Sequence, residues 1–292
     1  MRSLRALQCW VLAVALVGTS AALGSPAWAA RKAKDPDRPY WRTNLFKRIG
    51  TDQKYLLTQW FPKEFKDPLF TCSLGAGLVI VIQSGARETG AFDLFLENDI
   101  QNAASPAAKS AANVFTALGE GVVVASILGI TYLSSRHTHD DRLSEASSLA
   151  AESLIDAGIW VTVLKFATAR VRPNEPDANR FFQYGASQAT SFPSGHAMGA
   201  FSVAAVFAET YRDKKWVPWL SYGLATMVGV SRLVVGRHYP GDVVVGAVLG
   251  SSIGRGVVAR SGEVDSRRRG TIVPVVGPEG RGVGVGWRYS WK

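Results

Sequence analysis

The chain has 292 residues, which is enough for one large domain or two small ones with a sizeable core. Its 33 basic and 23 acidic residues give a formal net charge of +10, which favours anionic partners such as phosphate esters or acidic lipid surfaces. The sequence has neither zinc-finger spacing nor a basic helix followed by heptads, so we expect no nucleic-acid partner.

The first 30 residues are typical of an export signal. Arg2 and Arg5 precede an uncharged stretch, and Ala27-Trp28-Ala29 offers small residues at both positions of an A-x-A cleavage site. We therefore predict a signal peptide at residues 1–29, cleaved after Ala29, and export to the cell envelope. An uncleaved anchor helix is the alternative, because the apolar stretch approaches the length that spans a bilayer.

The middle of the chain is dominated by apolar runs that polar, proline or glycine segments separate, a pattern that indicates successive helices. We predict a basic linker and surface segment at residues 30–68, a helical core at residues 69–260, and a linker with a hairpin tail at residues 261–292. The fold class is then an all-α bundle of about six core helices, with a shorter helix near Phe92–Ala104. The six runs are Leu69–Gly85, Ala111–Leu133, Leu149–Ala169, His196–Tyr211, Val217–Val235 and Val243–Val258.

Whether this bundle crosses a membrane stays open at this point. The stretch Leu69–Ala86 has no charge and is long enough to span a bilayer. The mean hydropathy of the whole chain, +0.06, is low for a protein buried in lipid, and charges such as Glu120 and Lys165 interrupt the other runs. We expect a membrane-associated bundle, and a soluble periplasmic helical domain is the alternative.

The C-terminal segment changes from helical to alternating patterning. Ile272-Val273 and Val275-Val276 flank Pro274, Gly277–Gly280 supplies a turn, and apolar residues then alternate with small or polar ones through Trp291. A period of two residues on both sides of a turn predicts a β-hairpin.

Two clusters of polar residues offer groups that bind phosphate. Lys165 and Arg172 are two helical turns apart, so we expect both on one face of the third long helix, which Pro173 then ends. Arginine presents a fork of donors that matches phosphate oxygens, and lysine adds a point charge. Ser194-Gly195-His196 precedes an apolar run, where Ser194 can cap a helix whose free N–H groups attract an anion. The alternative for Lys165 and Arg172 is a simple interaction with the dipole at the helix C-terminus. The alternative for His196 is a capping residue or a satisfied surface histidine.

A third cluster, Ser231-Arg232 with His238 and Asp242, completes a constellation suited to nucleophilic chemistry. The turn at Pro240-Gly241 allows Asp242 to accept a hydrogen bond from one ring nitrogen of His238. The other nitrogen then carries a free electron pair, which a histidine nucleophile requires. Asp242 could instead cap the helix that follows, or do both.

Together the three clusters resemble the type 2 phosphatidic acid phosphatase/haloperoxidase superfamily, whose pattern is K-x6-RP, PSGH and SR-x5-H-x3-D. Every fixed position is present, from Lys165 to Asp242. The resemblance covers about residues 69–258 and leaves out the signal, the basic arm and the hairpin.

The resemblance implies a role for each motif residue. His238 would attack phosphorus and form a phosphohistidine, Asp242 would orient it, and His196 would protonate the leaving oxygen and later activate water. The phosphoryl oxygens would be held by Lys165, Arg172, Ser194, Gly195 and Arg232. The family needs no metal or other cofactor. We expect Arg136–Asp141, which contains two histidines and two carboxylates, to be a solvated interhelical loop, and a metal site is the alternative.

The function expected from this resemblance is hydrolysis of a phosphate monoester or pyrophosphate of a lipid, on the extracytoplasmic side of the envelope. Phe181, Phe182, Tyr184 and Phe192 lie between the first two motifs and could receive an acyl or prenyl tail, or pack on the bundle. Within the same fold, a soluble nonspecific acid phosphatase or phosphotransferase and a vanadate-dependent haloperoxidase are the alternatives.

Overall fold

The computed structural model describes residues 39–85, 99–173, 175, 181–186, 189–268, 271–276 and 283–288. The predicted signal peptide and the turn of the predicted hairpin lie outside these residues. Residues 99–103 of the short helix predicted near Phe92–Ala104 are helical, and residues 92–98 of that prediction are also outside.

The described part of the chain from residue 39 to residue 268 is helical apart from its loops. A 3-10 turn at Tyr40–Arg42 comes first, and a π-helical turn at Leu56–Trp60 joins the first two helices. The helices are α1 Leu45–Tyr55, α2 Phe61–Glu64, α3 Pro68–Gly85, α4 Pro106–Leu118, α5 Gly121–His137, α6 Asp141–Thr168, α7 Gly195–Thr210, α8 Trp216–Val234 and α9 Pro240–Arg268.

The central packing of the bundle is between α7 and α9, which run parallel with their backbones in close contact. A Cβ atom added at Gly250 would lie 2.2 Å from the carbonyl oxygen of Met198, and one at Gly254 would lie 2.2 Å from that of Ser202. Only glycine permits such an approach, as in other close helix pairs with small residues at four-residue spacing. The pairing places the N-terminal ends of the two helices side by side, and the Ser194 N–H donates to the Asp242 carbonyl at 3.0 Å.

The predicted number of about six core helices is wrong, because seven helices longer than ten residues lie between residues 68 and 268 of the described chain. The predicted run Ala111–Leu133 is divided between α4 and α5, which meet at an angle of 60°. The division falls at Gly119, where a Cβ atom would lie 2.4 Å from Val228 Cγ1. Apolar periodicity does not reveal a bend that a contact with another helix imposes.

The segment predicted as a surface linker at residues 30–68 is instead packed into the bundle from residue 39 onward. Tyr40, Trp41, Tyr55 and Leu56 are buried against α6 and α9. The indole N–H of Trp60, also buried, donates to the Ser252 carbonyl at 2.9 Å. The basic residues suggested solvent exposure, but the aromatic residues between them supply the apolar area that drives burial.

The C-terminal part of the core also extends further than predicted. Helix α9 continues to Arg268, and Ser261, which we expected in an exposed linker, is fully buried. Two strands follow, β1 Thr271–Val276 and β2 Val283–Arg288, which pair antiparallel with Ile272 opposite Trp287.

Among the described helices, one is long and apolar enough to cross a membrane, at Pro240–Asp265, and most of it is buried inside the bundle. Two bent helix pairs pass the same criterion when each is taken as one span. They are Leu45–Glu64 with Pro68–Ile82 and Pro106–Leu118 with Gly121–His137.

Candidate active site

His238 lies at the centre of the site, in the loop that joins α8 to α9. Gly236 adopts a positive φ of 64° in this loop, a conformation that glycine takes without strain. The His238 side chain is 2% exposed, and its Nδ1 lies 2.8 Å from the Ser191 carbonyl oxygen. Because a carbonyl can only accept, Nδ1 carries the proton and Nε2 keeps its electron pair. Burial lowers the pKa of His238 to about 4, so the ring is neutral near pH 7.

Asp242 does not hold His238 by the direct hydrogen bond that we expected. Its Oδ2 is 3.6 Å from His238 Nδ1, which is too long for a hydrogen bond. The carboxylate instead accepts from the Ser191 hydroxyl at 2.5 Å, the Tyr239 N–H at 3.1 Å and the Arg170 guanidinium at 2.5 Å. Asp242 therefore fixes Ser191, and Ser191 in turn fixes His238.

The position of Asp242 in its helix explains this difference. Pro240 begins α9 instead of breaking a helix, so Asp242 is the third helical residue. A carboxylate at that position reaches back to the free N–H of the capping residue, here Tyr239. This local bond turns the carboxylate away from the His238 ring.

Lys165 and Arg172 reach the site from different structural elements, and the prediction of a shared helical face is wrong. Helix α6 ends at Thr168, and Ala169 follows in the left-handed conformation with φ 39°. Arg172 therefore lies in the extended segment beyond the helix. Lys165 remains on the last turn, where its Nζ lies 3.9 Å from the position of a Cβ atom on Gly195.

The site gathers more positive than negative charge. In the part of the chain that the structure describes, the buried Nε atoms of Arg172 and Arg232 have no hydrogen-bond partner. Burial and the neighbouring Arg172 lower the pKa of Lys165 to about 8. These buried groups would gain from a bound anion with several acceptor oxygens.

His196 occupies the first turn of α7, as expected, and faces the same cations. Burial, followed by Arg232, lowers the pKa of His196 to about 4. Ser194 is fully buried and its hydroxyl accepts the Ala197 N–H at 3.5 Å, so this side chain acts as the helix cap. Contact of Ser194 and Gly195 with phosphate stays a prediction.

Sequence reasoning missed four residues at the site. Arg170 and Ser191 hold Asp242, Glu120 lies 3.2 Å from His196 Nε2, and Arg237 is close enough to lower the pKa of Arg172, after burial. Arg170 has a sequence signal, because it stands inside the K-x6-RP motif. No pattern marks Ser191, which acts partly through its backbone carbonyl, or Glu120, which is remote in the sequence.

The four aromatic residues between the first two motifs differ in exposure. Phe192 is buried and Phe181 half-buried, with the Arg170 guanidinium 5.0 Å from the Phe181 ring centre. Phe182 and Tyr184 are 64% and 65% exposed, and their rings lie 6.4 Å apart. Two of the four aromatic residues therefore pack on the bundle and two are available to a ligand.

Within the described ranges, no group of three or more histidine, cysteine, aspartate or glutamate side chains is arranged to hold a metal ion. His137, the last residue of α5, and His139, in the loop that follows, are both exposed.

Comparisons with known proteins point to one family. Residues 146–263 match the model of the PAP2 superfamily. A lipid A 1-phosphatase from Porphyromonas gingivalis is 35% identical over 100 residues, which are 33% of this chain and 20% of that protein. A lipid A 1-phosphatase from Rhizobium johnstonii is 34% identical over 106 residues, which are 34% of this chain and 41% of that protein.

A solved structure shows the same fold. The transmembrane PAP2-type phosphatidylglycerolphosphate phosphatase from Bacillus subtilis superposes with a TM-score of 0.53 at 20% identity, covering 67% of this chain and 96% of that one. The family match ends at residue 263, so it gives no support to the hairpin as part of the family fold. The chain aligns with between a fifth and about two fifths of the length of the two lipid A phosphatases.

Proposed function

We propose that the protein is a lipid phosphatase of the cell envelope, because residues 146–263 match the model of the PAP2 superfamily, as the motifs predicted. It hydrolyses a phosphate monoester or diphosphate through a phosphohistidine on His238, without a metal ion. The lipid class is supported by the two relatives, both of which are named for dephosphorylation of lipid A.

The observation that carries this proposal is the placement of a neutral histidine among unpaired cations. Lys165, Arg172 and Arg232 come from three separate elements and influence one another's charge at a single place, next to His238. A phosphoryl group held by these cations would present its phosphorus to His238 Nε2. Donors that are fixed before the reaction stabilise the charge that spreads over the phosphoryl oxygens in the transition state.

In the first step the electron pair of His238 Nε2 forms a bond to phosphorus, and the bond from phosphorus to the leaving oxygen breaks. His196 gives its proton to that oxygen, so the lipid leaves as an alcohol or, from a diphosphate, as a lipid monophosphate. Protonation of His196 depends on the bound substrate. A phosphate dianion offsets the repulsion from Arg232 and Lys165, and it raises the pKa of His196 above its value of about 4 in the free protein.

In the second step a water molecule attacks phosphorus and gives its proton to His196. The bond from phosphorus to His238 breaks, inorganic phosphate leaves, and both histidines return to their starting states. His238 can act as the leaving group because Nδ1 keeps its proton, which it donates to the Ser191 carbonyl. The ring therefore leaves phosphorus as a neutral imidazole.

The surface of the bundle supports action at a membrane. Large apolar side chains that are more than half exposed occur on six of the described helices, and exposed apolar surface of this kind is typical of a membrane or protein contact when it is contiguous. They include Val79 and Ile82 on α3, Val122, Ile130 and Leu133 on α5, Phe166 on α6, and Trp216 and Trp219 on α8. With the export signal predicted at residues 1–29, the site would face the extracytoplasmic side.

The test is phosphate release from a panel of lipid and water-soluble phosphates, in detergent micelles with a chelator and no added metal. We expect the wild-type protein to prefer lipid phosphates, and His238→Ala to lower kcat on the order of 10⁴-fold while the protein stays folded. His137→Ala, a change at an exposed histidine, is the matched control and should leave activity unchanged. Full activity of His238→Ala, or a preference for soluble esters, would contradict the proposal.

A further inference from the structure

Glu120 places a negative charge at an otherwise positive site. Its Oε1 lies 3.2 Å from His196 Nε2, and it also acts on the charge of Arg232. The proposed mechanism gives this carboxylate no part, and Glu120 lies outside the segment that matches the family model, residues 146–263.

The position of Glu120 is fixed by the bend between α4 and α5. Gly119 fits so closely that a Cβ atom there would lie 3.3 Å from His196 Cδ2. The Thr116 hydroxyl, on the last turn of α4, is 3.1 Å from the Ser231 hydroxyl. Through these contacts the bend packs against His196 of the PSGH motif and Ser231 of the SR-x5-H-x3-D motif. The Glu120 backbone is therefore held beside His196.

The Glu120 side chain itself is 56% exposed, whereas His196 is 19% exposed. The carboxylate therefore lies at the mouth of the site, between His196 and solvent. An oxygen atom at about 3 Å from His196 Nε2 is where the leaving oxygen must be when it takes the proton. In the free protein, Glu120 Oε1 lies at this position. When substrate is bound, the rest of the leaving group must therefore lie beside the carboxylate.

From this we propose that Glu120 determines which leaving group the site accepts, favouring one that leaves as a neutral alcohol over an anionic phosphate. The inference rests on the proposed phosphatase function and narrows it to phosphate monoesters of a lipid alcohol or lipid sugar. Hydroxyl or ammonium groups of such a lipid can donate hydrogen bonds to the carboxylate. The second phosphate of a diphosphate would instead be repelled by it.

A second effect acts in the same direction. An alkoxide is a poor leaving group and needs the proton of His196, whereas a phosphate leaves without full protonation. The Glu120 carboxylate favours the protonated form of His196, so its removal should slow monoester cleavage while it relieves the repulsion of a diphosphate.

The experiment compares Glu120→Gln with the wild-type full-length protein on two substrates in the same micelles, dioctanoyl phosphatidate and farnesyl diphosphate. We expect the ratio of kcat/KM for the diphosphate to that for the monoester to rise about tenfold in Glu120→Gln. Glu120→Asp, which keeps the charge, should stay near the wild-type ratio. Asp141→Asn is the matched control, because it removes one exposed carboxylate at the opposite end of α6.

A ratio that is unchanged or lower in Glu120→Gln, with an active wild-type protein, would overturn the inference and leave the proposed function standing. Release of phosphate from neither substrate by the wild-type protein would overturn the proposed function, and the inference with it. A rise of similar size in Asp141→Asn would show a general effect of charge and would also overturn the assignment to Glu120.

Discussion

Charged groups are buried at several places in the described part of the bundle, and two of these places differ in how the charges are balanced. Where α1, α6 and α9 meet, three carboxyl groups face two arginines: Arg48 lies 3.1 Å from Glu152, Arg260 lies 2.7 Å from Asp52, and the Gln53 amide donates to Asp156. Burial raises the pKa of Glu152 to about 10 and that of Asp156 to about 8, which reduces the negative charge of this cluster. At the candidate active site the one fully buried carboxylate, Asp242, is held by Arg170. Lys165, Arg172 and Arg232 are left facing one another.

The difference shows that burial of charge does not by itself indicate function. Both places contain ionisable groups whose pKa is displaced by burial, as structural networks and active sites both do. The active site is distinguished by an excess of cations around a neutral histidine, whereas the other cluster has more carboxyl groups than arginines. The cluster between α1 and α6 attaches the N-terminal segment to the core.

After substitution of His238 itself, the largest loss of activity that we expect from this contrast follows substitution of Arg232. Arg232→Lys keeps the positive charge but loses the planar fork, so we expect kcat/KM to fall on the order of 10²-fold. Initial rates on a lipid monophosphate measure this directly. Arg237→Lys, the same change at an exposed neighbour, should lower kcat/KM much less. An unchanged kcat/KM in Arg232→Lys would show that only the charge of residue 232 matters, and equal losses in the two variants would show that the fork of Arg232 has no special role.

The next effect concerns stability and the matched pair inside the site. Arg170 and Asp242 are both fully buried, so Arg170→Met leaves a carboxylate without its cation, and we expect the free energy of unfolding to fall by about 3–5 kcal/mol. Arg42→Met removes an exposed partner of Asp141 and should cost about 0–1 kcal/mol. Denaturant unfolding in micelles compares them. A small loss for Arg170→Met would mean that Ser191 and the Tyr239 N–H suffice to hold Asp242.

The smallest effect is a change in the pH profile of kcat/KM. Lys165 has a pKa lowered to about 8, so it is charged below pH 8 and loses its charge as the pH rises, which should weaken phosphate binding on the alkaline side. His238, with a pKa of about 4, becomes protonated and inactive only below that pH. Arginine stays charged throughout, so Lys165→Arg should remove the alkaline decline and keep the acid one. A decline that persists in Lys165→Arg would assign it to another group.

The fold could be predicted from the sequence where apolar runs are bounded by strong local signals. Helices α3, α7 and α8 begin and end within two residues of the predicted runs. The division of α4 from α5 and the burial of Tyr40 and Trp41 could not be predicted, because both depend on contacts with residues far along the chain. A period of 3.6 residues records which face is buried and does not record what covers it.

The site could be predicted where residue types define the chemistry. The motifs named Lys165, Arg172, His196, Arg232 and His238, and the structure brings all five together. The connection from Asp242 to His238 was wrong in detail, because it passes through the Ser191 carbonyl, and a backbone group leaves no mark in a sequence. Glu120 was read only as a charge that interrupts an apolar run, because its partner His196 is 76 positions later in the chain.

The central claim is that the His238 ring forms a bond to the phosphorus atom of a lipid phosphate. The direct measurement is acid-free quenching of the protein during turnover of a ³²P-labelled lipid monophosphate, followed by mapping of the label. The account predicts alkali-stable, acid-labile phosphate on residue 238, and none in His238→Ala. Label on a different residue, or continued turnover by His238→Ala, would contradict it.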